Sequence, residues 1–403
     1  MGPHIRVAVD VGKSSHHVGI ADPKGRILEE FSISHSQEGF AEFFSRVEHH
    51  QRKLGLPVAV AMEGYNGHAR PLDRMIVEKG YKLYNVNNLK LARFREIFPG
   101  PAKTDSLDVR KILELFHLKD HLPLAKDVLE RVREVPEVNQ KLKRLTRRRK
   151  QLVKEKVRVL SRLQDDLQAV CPELLQLSGS VDNLWFLRFL ASRDDLEELA
   201  QLTPEEIREI RGIGVKYAGI IREWQRRAEF SPEVEYVGPM IVSDARRILE
   251  LLSEIAALKE AIEKLCEESE LARRLRSIPG FGVISAAELA GEIGTLKRFG
   301  SEASLALYLG MCPLDKQSGQ THGTRSPRQV NRRAKAAMMV AVAHHIWEVP
   351  ESRAYYEKKR AEGKRHNQAV RALGRHMVRV MWSMLRQERD YKLRKAQEVS
   401  CLA

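Results

Sequence analysis

Four carboxylates in the first quarter of this 403-residue chain are of the type and placement expected of a divalent-metal site: Asp10, Glu63, Asp105 and Asp108. Carboxylate oxygens are the ligands that Mg²⁺ and Mn²⁺ prefer in proteins. Two such ions, about 4 Å apart, would activate a nucleophile and stabilise the leaving oxygen in phosphodiester chemistry. The set therefore predicts a site for Mg²⁺ or Mn²⁺ that cuts phosphodiesters.

Asp10 and Glu63 each belong to an apolar strand pattern. Asp10 lies within the otherwise apolar run 7–12, where an acid is costly to bury unless a metal ion or a cation compensates its charge. Glu63 follows the apolar run 58–62, and both acids emerge at the same edge if the two strands are parallel neighbours. Strand residues flank Asp10 and argue against a turn, whereas Glu63 has the alternative of a solvated strand end before Gly64.

Asp105 and Asp108 are three residues apart at the start of a predicted helix, so they share one face of it. Each has a simpler alternative. Asp105 follows Thr104 as a candidate helix N-cap, and Asp108 is a first-turn acid that the helix dipole favours. The pair is ambiguous alone, and the metal hypothesis becomes the better one only together with Asp10 and Glu63.

A second candidate centre is Ser318, in a loop that opens with Gln-Ser-Gly at 317–319. The loop leads into a basic segment that would hold a phosphate, with candidate contacts at Arg325, Arg328, Asn331, Arg332 and Arg333. No acid occurs from residue 316 to 347. A serine nucleophile needs a proton acceptor, and His322 is the only local candidate. By spacing alone, Ser-Gly in a loop is far more often a turn.

Composition favours a polyanionic partner. Lys and Arg number 69 against 54 acids, which gives a net charge of +15, and nucleic acid is the commonest such partner, although membrane-surface proteins share this feature. No apolar run approaches the roughly 20 residues that span a bilayer. The N-terminus leads directly into a strand pattern, so we expect no signal peptide. Four scattered cysteines fit a cytoplasmic protein and argue against a zinc site or disulfide framework.

The elements that must position the acids form an α/β pattern over about the first 120 residues. Apolar alternation and turn residues predict strands at 5–11, 17–21, 26–32, 57–62 and 81–86, and helices at 37–54, 68–79 and up to about residue 119. Three short strands followed by alternating strands and helices predict a mixed sheet with helices packed on it. From about residue 127 the pattern is wholly helical apart from a loop at 313–330.

Two long helices are predicted in this helical part. Residues 141–162 hold eleven Lys or Arg and one acid, which predicts a nucleic-acid contact at Arg144, Arg147, Arg148, Arg149 and Lys150. Leu145, Leu152 and Val159 recur there every seven residues, as in a coiled coil. A second apolar seam has the steps of a coiled-coil a/d pattern, at Ile248, Leu251, Ile255, Leu258, Ile262 and Leu265. The two helices have the alternatives of pairing within one chain or between two.

A weak internal repeat places glycines between helical segments. Ile-Arg-Gly-Ile-Gly at 210–214 matches Ile-Pro-Gly-Phe-Gly at 278–282. Such glycines allow a tight turn that brings backbone N–H groups at a helix N-terminus toward a phosphate, as in helix-hairpin-helix units. Gly280 and Gly282 are therefore candidate nucleic-acid contacts, and the alternative is an ordinary turn between two helices. Further on, apolar residues on one face of the helix at 367–387 predict a core-facing stripe.

The motifs, taken in order, resemble the DEDD transposases of bacterial insertion sequences. This family includes pilin-gene invertases and recombinases guided by a bridge RNA. The matching segments are Asp-Val-Gly-Lys at 10–13, Glu63 after its strand, Lys-Thr-Asp-Ser-Leu-Asp at 103–108, Ile-Pro-Gly-Phe-Gly at 278–282, Tyr-Leu-Gly at 308–310 with Pro313, Gln-Ser-Gly at 317–319, and Asn-Arg-Arg at 331–333. The likeness spans nearly the whole chain. One departure is Val330, where the family commonly has glycine.

The resemblance implies a RuvC-like ribonuclease-H fold over residues 1–125, a helical coiled-coil region over 126–270 and a helical C-terminal serine transposase domain over 271–403. The acids Asp10, Glu63, Asp105 and Asp108 would bind Mg²⁺, and Ser318 would become joined to a DNA 5′ phosphate. The two would meet in a composite site, from one protomer or two. Implied partners are donor and target DNA, a structured guide RNA in some members, and further copies of the chain in a dimer or tetramer.

Three functions remain to be weighed. The first is a DNA recombinase or transposase that uses both the carboxylates and the serine. The second is a RuvC-like metal nuclease that hydrolyses branched DNA and only grips it with its C-terminal part. The third is a non-catalytic nucleic-acid-binding protein derived from such an enzyme. The order of motifs favours the first, and the intact acids argue against the third.

Overall fold

The computed structural model describes residues 3–392 other than 66, 68, 87–90, 93, 95, 97–104, 122–127, 320, 326, 328 and 329. The side chains of residues 105, 106, 316–318, 321 and 322 also lie outside the description.

The chain forms two compact units, Met1–Glu134 and Val135–Ala403, each with more contacts inside it than with the other. Within the described residues, no helix has the length and apolarity needed to cross a membrane.

The first unit is α/β, as the sequence predicts. Its strands are β1 (Ile5–Val11), β2 (Ser15–Ala21), β3 (Ile27–Ser34), β4 (Val58–Glu63), β5 (Lys82–Val86) and β6 (Leu129–Arg131). Its helices are α1 (Gln37–Leu54), α2 (Arg70–Glu78) and α3 (Asp105–His121). The predicted strands and helices are confirmed to within a few residues. The expectation of a wholly helical chain after residue 127 is wrong at β6, because three residues are too few to show a strand period.

These six strands form one mixed sheet in the order β3-β2-β1-β4-β5-β6. β1 pairs antiparallel with β2 and parallel with β4, and β4 pairs parallel with β5. Alternate residues of a strand lie on opposite faces of its sheet. Val7 and Val60 therefore pack with α1 and α2 in one core, while Ala8 and Ala61 pack with α3 in another.

Small residues set the position of α3 against the sheet. A Cβ atom at Gly19 of β2 would lie 2.4 Å from Val109 Cγ1, so the helix touches the strand where only glycine fits. Near the other end of α3, Asp120 Oδ2 accepts a hydrogen bond from Arg6 Nη2 of β1 at 3.2 Å. Gly19 pairs with Ala8 in the sheet, so α3 runs antiparallel to β1. The N-terminal turn of α3 thus faces the carboxyl end of β1.

The second unit is helical apart from one hairpin. Its helices are α4 (Glu137–Val170), α5 (Pro172–Gln176), α6 (Leu184–Leu190), α7 (Pro204–Glu209), α8 (Val215–Gln225), α9 (Val234–Glu268), α10 (Glu270–Arg276), α11 (Val283–Ile293), α12 (Glu302–Tyr308), α13 (Arg332–Glu348), α14 (Pro350–Ala361) and α15 (His366–Arg386). Short 3₁₀ turns lie at Glu197–Gln201 and Leu296–Arg298. The apolar stripe predicted at 367–387 is confirmed, because Leu373, Met377 and Met381 of α15 are buried in a core with α11 and α13.

The two long helices, α4 and α9, pack against each other within the chain. Arg162 pairs with Asp244, and Glu155 Oε1 accepts a hydrogen bond from Arg247 Nη2 at 2.8 Å. Residue numbers fall on α4 as they rise on α9, so the helices are antiparallel. Of the two alternatives for the seam, the structure shows the intramolecular one.

The segment 313–330, predicted as a loop, contains a β-hairpin. Strands β7 (Leu314–Ser318) and β8 (Thr321–Arg325) pair antiparallel, with Leu314 opposite Arg325 at the base and Ser318 opposite Thr321 at the tip. The prediction of a loop is wrong here. The strands are five residues each and mostly polar, so they lack the alternation of apolar residues that marks a half-buried strand.

Candidate functional site

Asp10 and Glu63 stand side by side at one edge of the first unit's sheet. The last paired residues of β1 and β4 are Val9 and Met62, so the next position on each strand is one of the two acids. The parallel pairing that the sequence argument required is present. Each acid lies two residues beyond an alanine that packs against α3, and both therefore belong to the face that α3 covers.

Glycines follow both strands, Gly12 two residues beyond Asp10 and Gly64 directly beyond Glu63. A Cβ atom at Gly12 would lie 2.4 Å from the carbonyl oxygen of Ser15, so the β1–β2 turn closes only with glycine there. After Glu63, Gly64 has a φ of +74° and its carbonyl accepts a hydrogen bond from Gly67 N at 2.9 Å. The chain thus turns away at once and leaves the carboxylates at the strand ends.

Asp108 joins this edge from α3. It is only 3% exposed, and it precedes Val109, the residue that packs on Gly19. Lys111 Nζ lies 3.9 Å from its Oδ1 within the same helix. A buried carboxylate is costly unless nearby charges or hydrogen bonds compensate it, so Asp108 must have partner groups at this position. Asp105 is the first residue of α3, one turn earlier, and its side chain is outside the description.

The donor set suits a hard divalent cation, because three described carboxylates share one face at one end of the sheet. Among the residues whose side chains are described, no three His, Cys, Asp or Glu groups are already close enough to hold a metal ion. Closure of the site around a cation therefore calls for Asp105 or for movement of the three carboxylates. The role of the four acids stays a prediction.

Ser318 ends β7 at the tip of the hairpin in the second unit. Its pairing with Thr321 puts His322 one position further along β8, opposite Gln317. The side chains of Ser318 and His322 lie outside the description, so the role of His322 stays a prediction. Asn331 is the N-cap of α13, and its Oδ1 accepts hydrogen bonds from Arg333 N and Ala334 N at 3.0 Å. Among the predicted basic contacts, Arg325, Arg332 and Arg333 are exposed, and Arg328 lies outside the described residues.

The two glycine turns share a conformation but differ in surroundings. Gly212 and Gly280 both have positive φ, at +99° and +80°. The first turn is exposed, and Val215 beside it is 85% exposed. In the second turn, Gly280 N donates a hydrogen bond to Glu348 Oε2 at 2.8 Å, and a Cβ atom at Gly280 would lie 2.2 Å from His345 N. An acid of α13 thus holds the amide that the hypothesis assigned to a phosphate, whereas Gly282 is exposed.

The predicted contacts on α4 divide between its two faces. Arg147 lies against α11, where its Nε and Nη2 donate hydrogen bonds to Glu292 at 2.7 and 2.9 Å. Lys150 Nζ lies 3.9 Å from Glu288, which also belongs to α11. Arg144 and Arg148 are exposed on the other side, and Arg148 Nη2 lies 3.7 Å from Glu254. Arg144 and Arg148 are therefore better placed than Arg147 to meet an external anion.

Glu292 organises a polar network that the sequence argument missed. Its carboxylate, 2% exposed, accepts the two bonds from Arg147 and a third from Asn331 Nδ2 at 2.8 Å. Tyr308 OH donates to the backbone carbonyl of Glu292 at 2.6 Å and lies 2.7 Å from Asn331 Nδ2. The asparagine of the 331–333 motif thus fixes the start of α13 against α11. Val330 before it has no positive φ, so this position does not require glycine.

Glu292→Gln is expected to destabilise the second unit at neutral pH. Burial alone would raise the pKa of Glu292, but hydrogen bonds from Arg147 and Asn331 lower it below its usual 4.5. A depressed pKa means that the ionised carboxylate stabilises the fold above pH 4.5 and that this contribution is lost as pH falls further. We expect the variant to lose about 1–3 kcal/mol of unfolding free energy at pH 7, and the deficit to shrink in acid.

Urea unfolding followed by tryptophan fluorescence measures this effect, because all four tryptophans lie in the second unit. The matched control is Glu254→Gln, which removes a half-exposed carboxylate near Arg148 and Arg247. That change should cost less than about 1 kcal/mol. Equal destabilisation by the two variants at pH 7 would show that the network contributes no more than a surface ion pair.

Comparison with known proteins identifies the family. The DEDD transposase model named for IS110 matches residues 7–172, a span that contains all four acids. A second model, described as "Transposase IS116/IS110/IS902 family", matches residues 272–357, which contain Ser318 and Asn331. The chain belongs to the IS110 family of DEDD transposases. Transposases cut and rejoin DNA. Membership of this family therefore identifies the chain as an enzyme that acts on DNA.

Similar proteins come from bacterial insertion elements, and two of them match nearly the whole chain. An uncharacterized 43.6 kDa protein of insertion element IS110 from Streptomyces coelicolor is 27% identical over 398 residues, covering 96% of this chain and 95% of that protein. An uncharacterized 42 kDa protein of insertion element IS900 from Mycobacterium paratuberculosis is 27% identical over 410 residues, covering 97% and 98%. The transposase for IS1111A of Coxiella burnetii is 23% identical over 205 residues, covering 46% and 55%.

Proposed function

We propose that this transposase is a recombinase that exchanges strands between a donor and a target DNA, with a divalent-metal carboxylate site and a serine nucleophile. The observation that carries the proposal is the pairing of β1 with β4, which brings Asp10 and Glu63 side by side under α3. Acids from two strands and one helix meet on one face although some 98 positions of chain separate the first from the last. Acids that only stabilise the fold would not need to lie together on one face.

A RuvC-like ribonuclease-H fold for the first unit is part of the proposal. Three antiparallel strands at one side, β3-β2-β1, continue into the parallel strands β4 and β5, with helices on both faces. This order places the ends of β1 and β4 next to each other at the centre of the sheet. Central strand ends are where a mixed α/β sheet exposes ligand-binding groups beyond its carboxyl edge.

Asp10, Glu63, Asp105 and Asp108 would hold the Mg²⁺ or Mn²⁺ ions, which supply Lewis-acid charge to the reacting phosphate when bound. The chain's own contribution is to fix the ligands before the metal arrives. β1 and β4 fix two carboxylates through the sheet, and the contact of Val109 with Gly19 fixes the first turns of α3. Burial of Asp108 excludes water from one side of the site.

Ser318 is the proposed nucleophile of the second unit. Its attack on a phosphodiester would form a bond from the serine oxygen to phosphorus and release a DNA hydroxyl. The exposed Arg325, Arg332 and Arg333 support the proposal, because they supply positive charge near the hairpin without a described acid along 316–347. We assign no proton acceptor to this step.

Guidance by a structured RNA and assembly into a dimer or tetramer complete the proposal. A net charge of +15 suits a large load of nucleic acid. Arg144 and Arg148 on α4, and the first glycine turn beside Val215, offer exposed surfaces for it. Half-buried Ile255 and Leu258 on α9 leave apolar surface available for a second copy.

Removal of divalent metal is expected to stop DNA strand exchange reversibly. Plasmids that carry the native element ends and a target would be incubated with protein in EDTA, in Mg²⁺, in Mn²⁺ or in Ca²⁺. We expect joined products only with Mg²⁺ or Mn²⁺, because Ca²⁺ also binds carboxylates but takes more ligands at longer distances and in a less fixed geometry. Hydrolysed ends without joined products would indicate a metal nuclease instead, and full strand exchange in EDTA would remove the metal from the proposal.

A further inference from the structure

A basic cavity of about 520 Å³ lies in the second unit, between the base of the β7–β8 hairpin and helices α14 and α15. Seven Lys or Arg side chains line it, and no Asp or Glu does among the described residues. Of these seven, only Arg325 belongs to the candidate contacts named above. The volume falls in the range of roughly 300–1,000 Å³ that is typical of small-molecule and cofactor pockets.

Much of the positive charge is uncompensated within the described part of the chain. Glu302 pairs with Arg375, and Glu362 pairs with Lys359 and Lys364. The other four cations that line the cavity make no ion pair with a described residue: Arg325, Lys335, Arg371 and Arg379. Converging cations repel one another unless an anion lies between them, so this arrangement points to an anionic ligand.

The field of these cations already acts on a neighbouring histidine. Burial lowers the pKa of His376, and the positive charges of Arg379 and Arg375 lower it further. Lys335 reaches the cavity over Gly310, which has a φ of +66°. A Cβ atom at Gly310 would lie 2.8 Å from Lys335 Cδ, so the glycine gives the lysine stem its path.

Apolar and aromatic side chains form part of the cavity wall. Met311, Pro313, Pro327 and the ring of Tyr355 line it, and Lys359 Nζ lies 5.4 Å from the centroid of that ring. Tyr355 meets His376 edge to face at 5.0 Å between ring centroids, and its hydroxyl lies 3.1 Å from His376 Nε2. A site for phosphate alone would need no such wall. Aromatic and apolar surface beside cations is the combination that binds nucleotides of a single strand, with bases on rings and phosphates on arginines.

We propose that the basic cavity binds one unpaired nucleotide of a DNA strand, with its phosphate at Arg371 and Arg379 and its base against Tyr355. The inference rests on the proposed function for the choice of DNA. A base inside a duplex cannot present its face to the Tyr355 ring, so the nucleotide must be terminal, extruded or single-stranded. Arg325 at the cavity is the hairpin partner of Leu314, four residues from Ser318. A strand held here can continue along β7, about 14 Å, toward the serine.

Single-strand binding by the Arg371→Gln/Arg379→Gln variant tests the phosphate contact. The full chain carrying Asp10→Asn would be titrated, without metal, against a fluorescent DNA strand of about 12 nucleotides, a length within the span of single-strand sites. We expect at least about tenfold weaker binding and a salt dependence smaller by about 1.4 in log–log slope, as for two lost phosphate contacts. Arg371→Lys/Arg379→Lys, which keeps both charges, should restore part of the affinity.

The matched control is Lys264→Gln/Arg386→Gln, which removes two exposed charges outside the cavity. Its binding should change by less than about twofold in physiological salt, because the lost charges touch no bound strand. Equal weakening by the two double variants would overturn the inference, since general surface charge would then explain the binding.

The base contact is tested with Tyr355→Leu and strands that carry one abasic position each. Base–aromatic stacking makes the expected loss about fivefold to a hundredfold for the intact strand. At one abasic position the loss should vanish, because the base that meets Tyr355 is already missing. Tyr355→Phe keeps the ring and should bind like the parent. If Tyr355→Leu lowers the affinity equally for every abasic strand, the cavity would bind only phosphate, and the nucleotide assignment would be overturned.

Binding under these conditions needs no catalysis, so the two proposals fail separately. If the protein shows no strand exchange but its single-strand binding still depends on Arg371, Arg379 and Tyr355, the cavity assignment stands and only the recombinase proposal fails. The opposite result keeps the recombinase and loses the cavity. An RNA strand of the same sequence that binds more tightly than DNA, with the same dependence on these residues, would overturn the choice of DNA.

Discussion

Asp10→Asn is expected to lower DNA cleavage and strand exchange by at least about 10²–10³-fold, while the protein folds and binds DNA as before. The substitution keeps the size of the side chain and removes its negative charge. Asp10 lies beside Glu63 on the face covered by α3, so its loss takes one ligand from the centre of the set. Metal stabilisation of a transition state amounts to several kcal/mol, which corresponds to this range of rate.

Cleavage of supercoiled plasmid measures the rate, and Mn²⁺ binding followed by calorimetry or paramagnetic resonance gives a second readout that needs no DNA. Both should fall together in Asp10→Asn. Glu42→Gln is the matched control, because Glu42 is a half-exposed acid, paired with Arg46, on α1, which packs on the opposite face of the sheet. Undiminished cleavage and Mn²⁺ binding in Asp10→Asn would rule out this carboxylate as a metal ligand.

Ser318→Ala is expected to abolish covalent attachment of the protein to DNA and, with it, the joining of strands. The hydroxyl is the only group lost, and alanine keeps the main-chain pairing of position 318 with Thr321 at the hairpin tip. Metal binding should be unchanged, because all four acids belong to the first unit. The combination of lost adduct and retained Mn²⁺ binding distinguishes a nucleophile from a residue that supports folding.

Denaturing gel electrophoresis of reactions with labelled DNA detects the adduct. Ser253→Ala is a suitable control, since it removes an exposed hydroxyl from α9. A Ser318→Ala protein that forms the adduct as well as the parent would disprove the serine role. Metal-dependent cleavage without any adduct in the parent would favour the nuclease function, in which the second unit only grips DNA.

Local pattern was sufficient for most of the first unit. β1 and α1 begin and end where the apolar alternation and helical period place them, because each is long enough to show several repeats. β6 and the β7–β8 hairpin escaped prediction, because three residues or a polar run of five show no repeat. β6 depends on β5, a partner elsewhere in the chain, whereas β7 and β8 pair with each other across a short turn.

Side-chain partners were less predictable than elements. Arg147 belonged to a run of cations that predicted nucleic-acid contact, yet Glu292, 145 positions away, holds its guanidinium. Gly280 belonged to a phosphate-binding pattern, yet its amide donates to Glu348. The basic cavity was visible only as Arg371, Arg375 and Arg379 recurring every four residues opposite the apolar stripe of α15. A cation on a helix face does not reveal which anion meets it.

Residue types and their spacing were enough to identify four acids at strand and helix ends, a serine among cations, and the ordered motifs of a transposase family. These features are local, because apolar period, turn residues and motif spacing are properties of neighbouring positions. Tertiary packing was needed to establish that β1 lies beside β4, that α3 covers the acids' face through Gly19, and which cations have no carboxylate partner among the described residues. Those outcomes depend on which distant surfaces pack together, and burial and charge compensation are fixed only after that packing is made.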